Sequence, residues 1–169
     1  FELTLSVPEN AHSVASHGGI PPLVKLCGSG TPLAAACSAG TLRNLASHEH
    51  LRRPLAEQGS VEALVQLVLF GSSGMSGSFG AFGTSLAQEN AIEALQNLAS
   101  GRDGRLKMAI VRKGGIICLM KVLEKRDLSI QSRGSAIRAL SNLATTSAAV
   151  AKEIVSAGYV AELAHLLET

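Results

Sequence analysis

Tryptophan is absent from this 169-residue chain, and four Phe and one Tyr are its only aromatic side chains. A sheet protein would draw on more aromatic residues and Thr for its pleated faces. The 46% apolar content comes mainly from Ala, Leu, Val and Ile, a supply suited to closely packed helices. Cysteine is scarce as well. Cys27, Cys37 and Cys118 are an odd number without CxxC spacing, each within an apolar helical pattern, so they read as small buried hydrophobes of a reduced, intracellular chain. No apolar run approaches the roughly 20 residues needed to cross a bilayer. The longest comparable block, residues 61 to 70, is interrupted by Glu62 and Gln66.

Catalytic and metal-binding constellations are equally sparse. His48-Glu49-His50 offers ligand types, but no third and fourth ligands stand at a recognisable spacing. Glu89 and Glu93 lie one helical turn apart, yet no nucleophile, phosphate loop or supporting His accompanies them. The expectation is a non-enzymatic chain with no cofactor and no metal.

What the chain has is repetition. Leu42-Arg43-Asn44-Leu45-Ala46 recurs as Leu95-Gln96-Asn97-Leu98-Ala99 and as Leu140-Ser141-Asn142-Leu143-Ala144. Upstream of each stands a Gly-containing turn with an apolar block, at Gly18-Gly19-Ile20, Gly59-Ser60-Val61 and Gly114-Gly115-Ile116, and a fourth turn, Gly158-Tyr159-Val160, has no Asn segment after it. Self-similarity at this period marks a solenoid, in which stacked units share one continuous core. Units of a short helix, a second helix and a longer third helix follow from the punctuation. Gly18 supplies the left-handed turn that ends a helix, Pro21 and Pro22 fit a first helical turn, and Thr31 with Pro32 reads as a cap and first position.

The parsing is one domain over residues 1–169. Residues 1–6 end a preceding repeat, with Thr4 near the Asn position; 7–46, 47–100 and 101–144 are repeats, and 145–169 is a partial one. The Gly-to-Asn distance is 38 residues in the second unit against 26 and 28 in the others, which marks 71–84 as an insert. Its Gly/Ser composition predicts a flexible loop, in which Met75, Phe79 and Phe82 anchor a partner, fold back over the repeat edge or have no role. An uncapped solenoid end leaves apolar surface wet, so both ends are expected to continue or to be covered.

At 100° per residue, Ala136, Ile137, Ala139, Leu140, Leu143 and Ala144 share one face of the third helix, and Ser135, Arg138 and Asn142 the opposite one. The equivalent outward stripes are Asn90, Glu93 and Asn97 in the second unit, and Cys37, Gly40 and Asn44 in the first. A carboxamide offers donors and an acceptor on one short stem, so a row of them can satisfy the N–H and C=O of an extended chain. Helices about 8 to 10 Å apart match two to three residues of an extended strand. Gly40 and Gly134 lie on the outward side, where a partner could approach closely.

Three units with Leu-x-Asn-Leu-Ala segments and Gly turns resemble armadillo repeats over nearly the whole chain. The resemblance implies an all-α, right-handed superhelical solenoid of three-helix units, a fragment of a longer array. It also implies a concave groove in which the third-helix asparagines, Asn44, Asn97 and Asn142 here, hold the backbone of an extended partner segment. Asn90 and Gly40 would line that groove, and Glu93 and Arg138, of opposite sign, would select the charge pattern. The importin alpha type places Trp four residues before the Asn, where this chain has Gly40, Glu93 and Arg138, so nuclear-signal reading is not expected. The alternative use of each Asn is to bond backbone within the stack.

The formal charge of +2 conceals an imbalance, since residues 101 to 138 carry net +7 while 1 to 100 carry −3 and 139 to 169 carry −2. That basic unit could meet an acidic or phosphorylated partner. No aromatic platform interleaves its charges, which argues against single-stranded nucleic acid; nucleic-acid or phosphate binding by this unit is the third and least favoured expectation. The expected function is thus a protein-interaction scaffold, intracellular and most simply cytoplasmic, with no membrane insertion. The competing expectation is a structural subunit that packs against folded chains through an end face at Leu163, Leu166 and Leu167.

Overall fold

A computed structural model of the chain describes residues 8–70, 78–125 and 128–167. Eleven α-helices occupy the described residues, with no strand among them. The first helices of successive units are α1 (Pro8–Ser16), α4 (Glu49–Glu57), α7 (Gly104–Arg112) and α10 (Ala148–Ser156). The second helices are α2 (Ile20–Ser29), α5 (Ser60–Phe70), α8 (Gly115–Glu124) and α11 (Tyr159–Leu167), and the third are α3 (Pro32–Ser47), α6 (Ser78–Ala99) and α9 (Ile130–Ala144). Like packs on like from one unit to the next, so three parallel rows of helices build an all-α repeat solenoid.

Local chemistry accounts for the joints. Gly18, Gly59, Gly114 and Gly158 all adopt positive φ, between 73° and 93°, and each turns a first helix into a second. In the Gly114-Gly115 pair the two glycines do different work. Gly114 provides the left-handed backbone that an L side chain disfavours, and Gly115 provides space, because a Cβ there would stand 2.7 Å from the carbonyl oxygen of Ile110. Side-chain caps open α3, α7, α9 and α10. Thr31 accepts from Ala34 N at 3.2 Å, with Pro32 at the first helical position. Asp103 accepts from Arg105 N and Leu106 N, Ser129 from Ser132 N, and Ser147 from Val150 N.

The two leucines of every Leu-x-Asn-Leu-Ala copy are at most 1% exposed. Burial of that kind stabilises by about 1.5–3 kcal/mol per side chain, which is why the motif recurs at this spacing. Ala136, Ala139, Leu140 and Leu143 are buried as the helical period requires, with Ile137 and Ala144 packed against them.

Three expectations change. Helix α6 begins at Ser78, so the later half of the presumed Gly/Ser loop is helical: Ala81 and the strong helix-forming pattern downstream carry the third helix back through it. Met75 and the rest of 71–77 lie outside the described residues, as do the side chains of Phe79 and Phe82 and the segment 1–6 with Thr4. Cys27 and Cys118 are buried, but Cys37 is exposed. Ser135 does not look outward; it is 1% exposed. Ser135 holds the same position in its unit as Asn90 and Cys37, and that position faces the preceding unit's third helix. Ser135 is buried where α9 packs on α6, whereas among the described residues no third helix precedes α3.

Candidate functional site

The polar stripe of the third helices is already wired internally over its first two units. Asn90 Nδ2 donates to the Ala36 carbonyl at 3.1 Å, and Asn97 Nδ2 donates to the Arg43 carbonyl at 3.1 Å. Both bonds run from α6 to the backbone of α3. Arg43 returns the contact: its Nη1 donates to Asn90 Oδ1 at 2.9 Å and to Glu93 Oε2 at 3.2 Å, and its Nε donates to Asn44 Oδ1 at 3.2 Å. The Arg43–Glu93 ion pair is roughly three-quarters buried on both sides, where such pairs are screened less than at an open surface. The other carboxylate oxygen of Glu93 accepts from Gln131 Nε2 on α9 at 2.8 Å. One connected network thus crosses three units.

Gly40 belongs to the same seam. A Cβ at that position would stand 3.2 Å from Asn90 Nδ2, so its missing side chain leaves room for the neighbouring unit. The α6–α9 seam is different. Asn142 is the register equivalent of Asn97, but among the described residues its carboxamide makes no hydrogen bond, and α9 touches α6 less extensively than α6 touches α3. Arg138 is exposed, forms no ion pair among the described residues, and is steadied by one bond from Nη2 to Ser135 Oγ at 3.1 Å. Nothing stands within 4 Å of where a Gly134 Cβ would be.

Sequence reasoning missed Arg43 and Gln131. Arg43 precedes Asn44 in the repeated segment, and its partner Glu93 stands four residues before Asn97; the pairing is visible only when two units are stacked in register. Of the basic run, Lys107 is nine-tenths buried with Nζ on Thr145 Oγ1 at 2.9 Å, and Lys113 pairs with Glu62 at 2.6 Å. Arg105 and Arg112 line a cleft of about 570 Å³ with Gly104, Met108 and Thr146, which shares no residue with the stripe. Burial pushes the Cys27 and Cys118 thiols up to about 12; Lys125 and Lys121 lower the second slightly. No group of three or more His, Cys, Asp or Glu among the described residues is placed to hold a metal. No described helix is long and apolar enough to cross a membrane.

No family model and no curated protein sequence matches the chain. Solved structures do. Two engineered proteins are similar to it at 33% and 26% sequence identity, with TM-scores of 0.78 and 0.80 over 94% and 95% of this chain. A computationally designed armadillo repeat protein for modular peptide recognition is similar at 22% identity, with a TM-score of 0.79 over 95% of this chain. The fold is armadillo-like. The chain spans 59%, 61% and 62% of the lengths of these three proteins. Within the armadillo-like stack, the units are the three-helix triplets α1–α3, α4–α6 and α7–α9, followed by the pair α10 and α11.

Proposed function

We propose that this chain is a non-catalytic scaffold that holds an extended or disordered segment of a partner protein along the face of its third helices. The observation that carries this reading is the state of α9: the Asn142 carboxamide has no hydrogen bond among the described residues and stands one turn from the exposed Arg138. Among the described residues, the capacity left on the ladder includes the NH2 group of Asn44, the oxygen and second N–H of Asn97 and the whole amide of Asn142. Donors and acceptors on short stems suit a peptide backbone. The designed neighbour's description as a protein for modular peptide recognition agrees with this use. Asn90, Glu93 and Gly40, read from the sequence as partner contacts, serve here as the supports that set the spacing of α3 and α6.

The second reading, a structural subunit packed against folded chains, is favoured by Val155 on α10 and Val160 on α11, 56% and 58% exposed. Leu163 is half-buried, and the side chains of Leu166 and Leu167 lie outside the described residues. Site-directed photo-cross-linking separates the two. In a Cys37→Ser background, a thiol-linked photoprobe is placed at Gly134→Cys on α9 or at Val155→Cys on α10, and cross-linked partners from lysate are mapped by peptide mass spectrometry. The proposal expects the α9 probe to capture short segments from unstructured regions. Capture of folded-domain surfaces by the α10 probe alone would favour the subunit.

A further inference from the structure

We infer that the segment held at the α6–α9 seam is acidic, with a carboxylate of the partner seated on Arg138 and the adjoining peptide group on Asn142. The inference rests on the peptide-holding reading above and names the chemistry it selects. Opposite-sign selection by Glu93 and Arg138 is what the residue types suggest in isolation, but the two do not face a ligand on equal terms. Both oxygens of Glu93 are engaged within the fold, one by Arg43 and one by Gln131. Its charge is compensated by the Arg43 guanidinium at 3.2 Å, leaving little field for a cationic partner.

Arg138 is in the reverse condition. A guanidinium has five N–H donors in a planar fork, and only one interaction, to Ser135 Oγ, engages it among the described residues. Ser135 is buried, so that contact anchors the guanidinium to the helix and lowers the entropy lost when a carboxylate docks bidentately. Helix α9 contains Arg133 and Arg138 and no acidic residue. The remaining acid on the third helices is Glu89 on α6, eight residues before Asn97, about 12 Å along the helix axis. The segment from residue 101 to 138, which ends at Arg138, carries net +7 in sequence, a charge that attracts an acidic chain at long range. Arg138 and Asn142 are separated by one helical turn, so a carboxylate on the first and a backbone amide on the second fit one extended segment.

The test is selection of a displayed random dodecamer library on the immobilised chain, run in parallel on Arg138→Glu, Arg138→Gln and Asn142→Ala, with circular dichroism confirming equal helicity. The expected result is a wild-type consensus rich in Asp or Glu. Synthetic peptides of that consensus should bind Arg138→Gln at least tenfold more weakly, and Arg138→Glu should select basic residues instead. A wild-type consensus without acidic residues, or one unchanged on Arg138→Glu, overturns the charge assignment; if Asn142→Ala still weakens it, the peptide-holding reading stands. A wild-type chain that enriches no consensus overturns both.

Discussion

Asn97 and Asn142 occupy the same place in their units but differ in what they touch, and a substitution at each should read that difference. Asn97→Ala removes the bond to the Arg43 carbonyl and should lower stability by about 1 kcal/mol. Asn142→Ala loses no bond to the described residues and should stay within about 0.5 kcal/mol of the parent; urea denaturation midpoints of both variants check this. The thiols give a second residue-scale prediction. Cys27 and Cys118 have pKa values raised from 9.0 to about 12, so the folded chain keeps protons that the unfolded chain releases. Their contribution to stability is fully present below about pH 9 and is lost as pH rises toward about 12. Denaturation midpoints measured from pH 8 upward should fall, and the Cys27→Ala, Cys118→Ala double variant should show a shallower fall. Cys37, being exposed, should alone react with a thiol reagent in the native state.

At the scale of helices, two glycines within third helices make opposite predictions from one propensity. Helix-interior Gly is about 1 kcal/mol less favourable than Ala. Gly134→Ala enters open space and should stabilise by about that amount. Gly40→Ala meets Asn90 Nδ2 at 3.2 Å, an amide pinned by Ala36 and Arg43, and should show no net gain; thermal midpoints of the pair decide. Asp103→Ala, which uncaps α7, should cost about 1 kcal/mol by the same measurement. The helix pattern itself was legible because Leu, Gly and Pro act locally: Leu95 and Leu98 set a buried period, Gly114 a left-handed turn, and Pro32 a first turn. Ser135 and Arg43 were not legible, because their surroundings belong to another unit. A helical wheel tells which side of α9 Ser135 occupies but not that it is buried where α9 packs on α6. The helix start at Ser78 escaped for a related reason, since composition describes an isolated segment and not one continued from a stable helix.

Across the whole molecule, stability should be graded and not uniform, because each unit of a solenoid rests on its neighbours alone. Helices α3 and α6 share the most extensive contact, while α10 and α11 expose Val155 and Val160. Hydrogen exchange read by mass spectrometry should find the amides of α10 and α11 exchanging first, and those of α3 and α6 last. Uniform protection through all four units would contradict a linear stack.

The network from Arg43 through Asn90 and Glu93 to Gln131 also restricts how such a protein could be rebuilt. If the second and third units traded places, Arg43 would face Ser135 and Arg138 where it now meets Asn90 and Glu93, two cations across one seam in place of an ion pair. The units are ordered like letters in a word and not like beads on a string, and a permuted array should assemble poorly however well each unit forms its own helices.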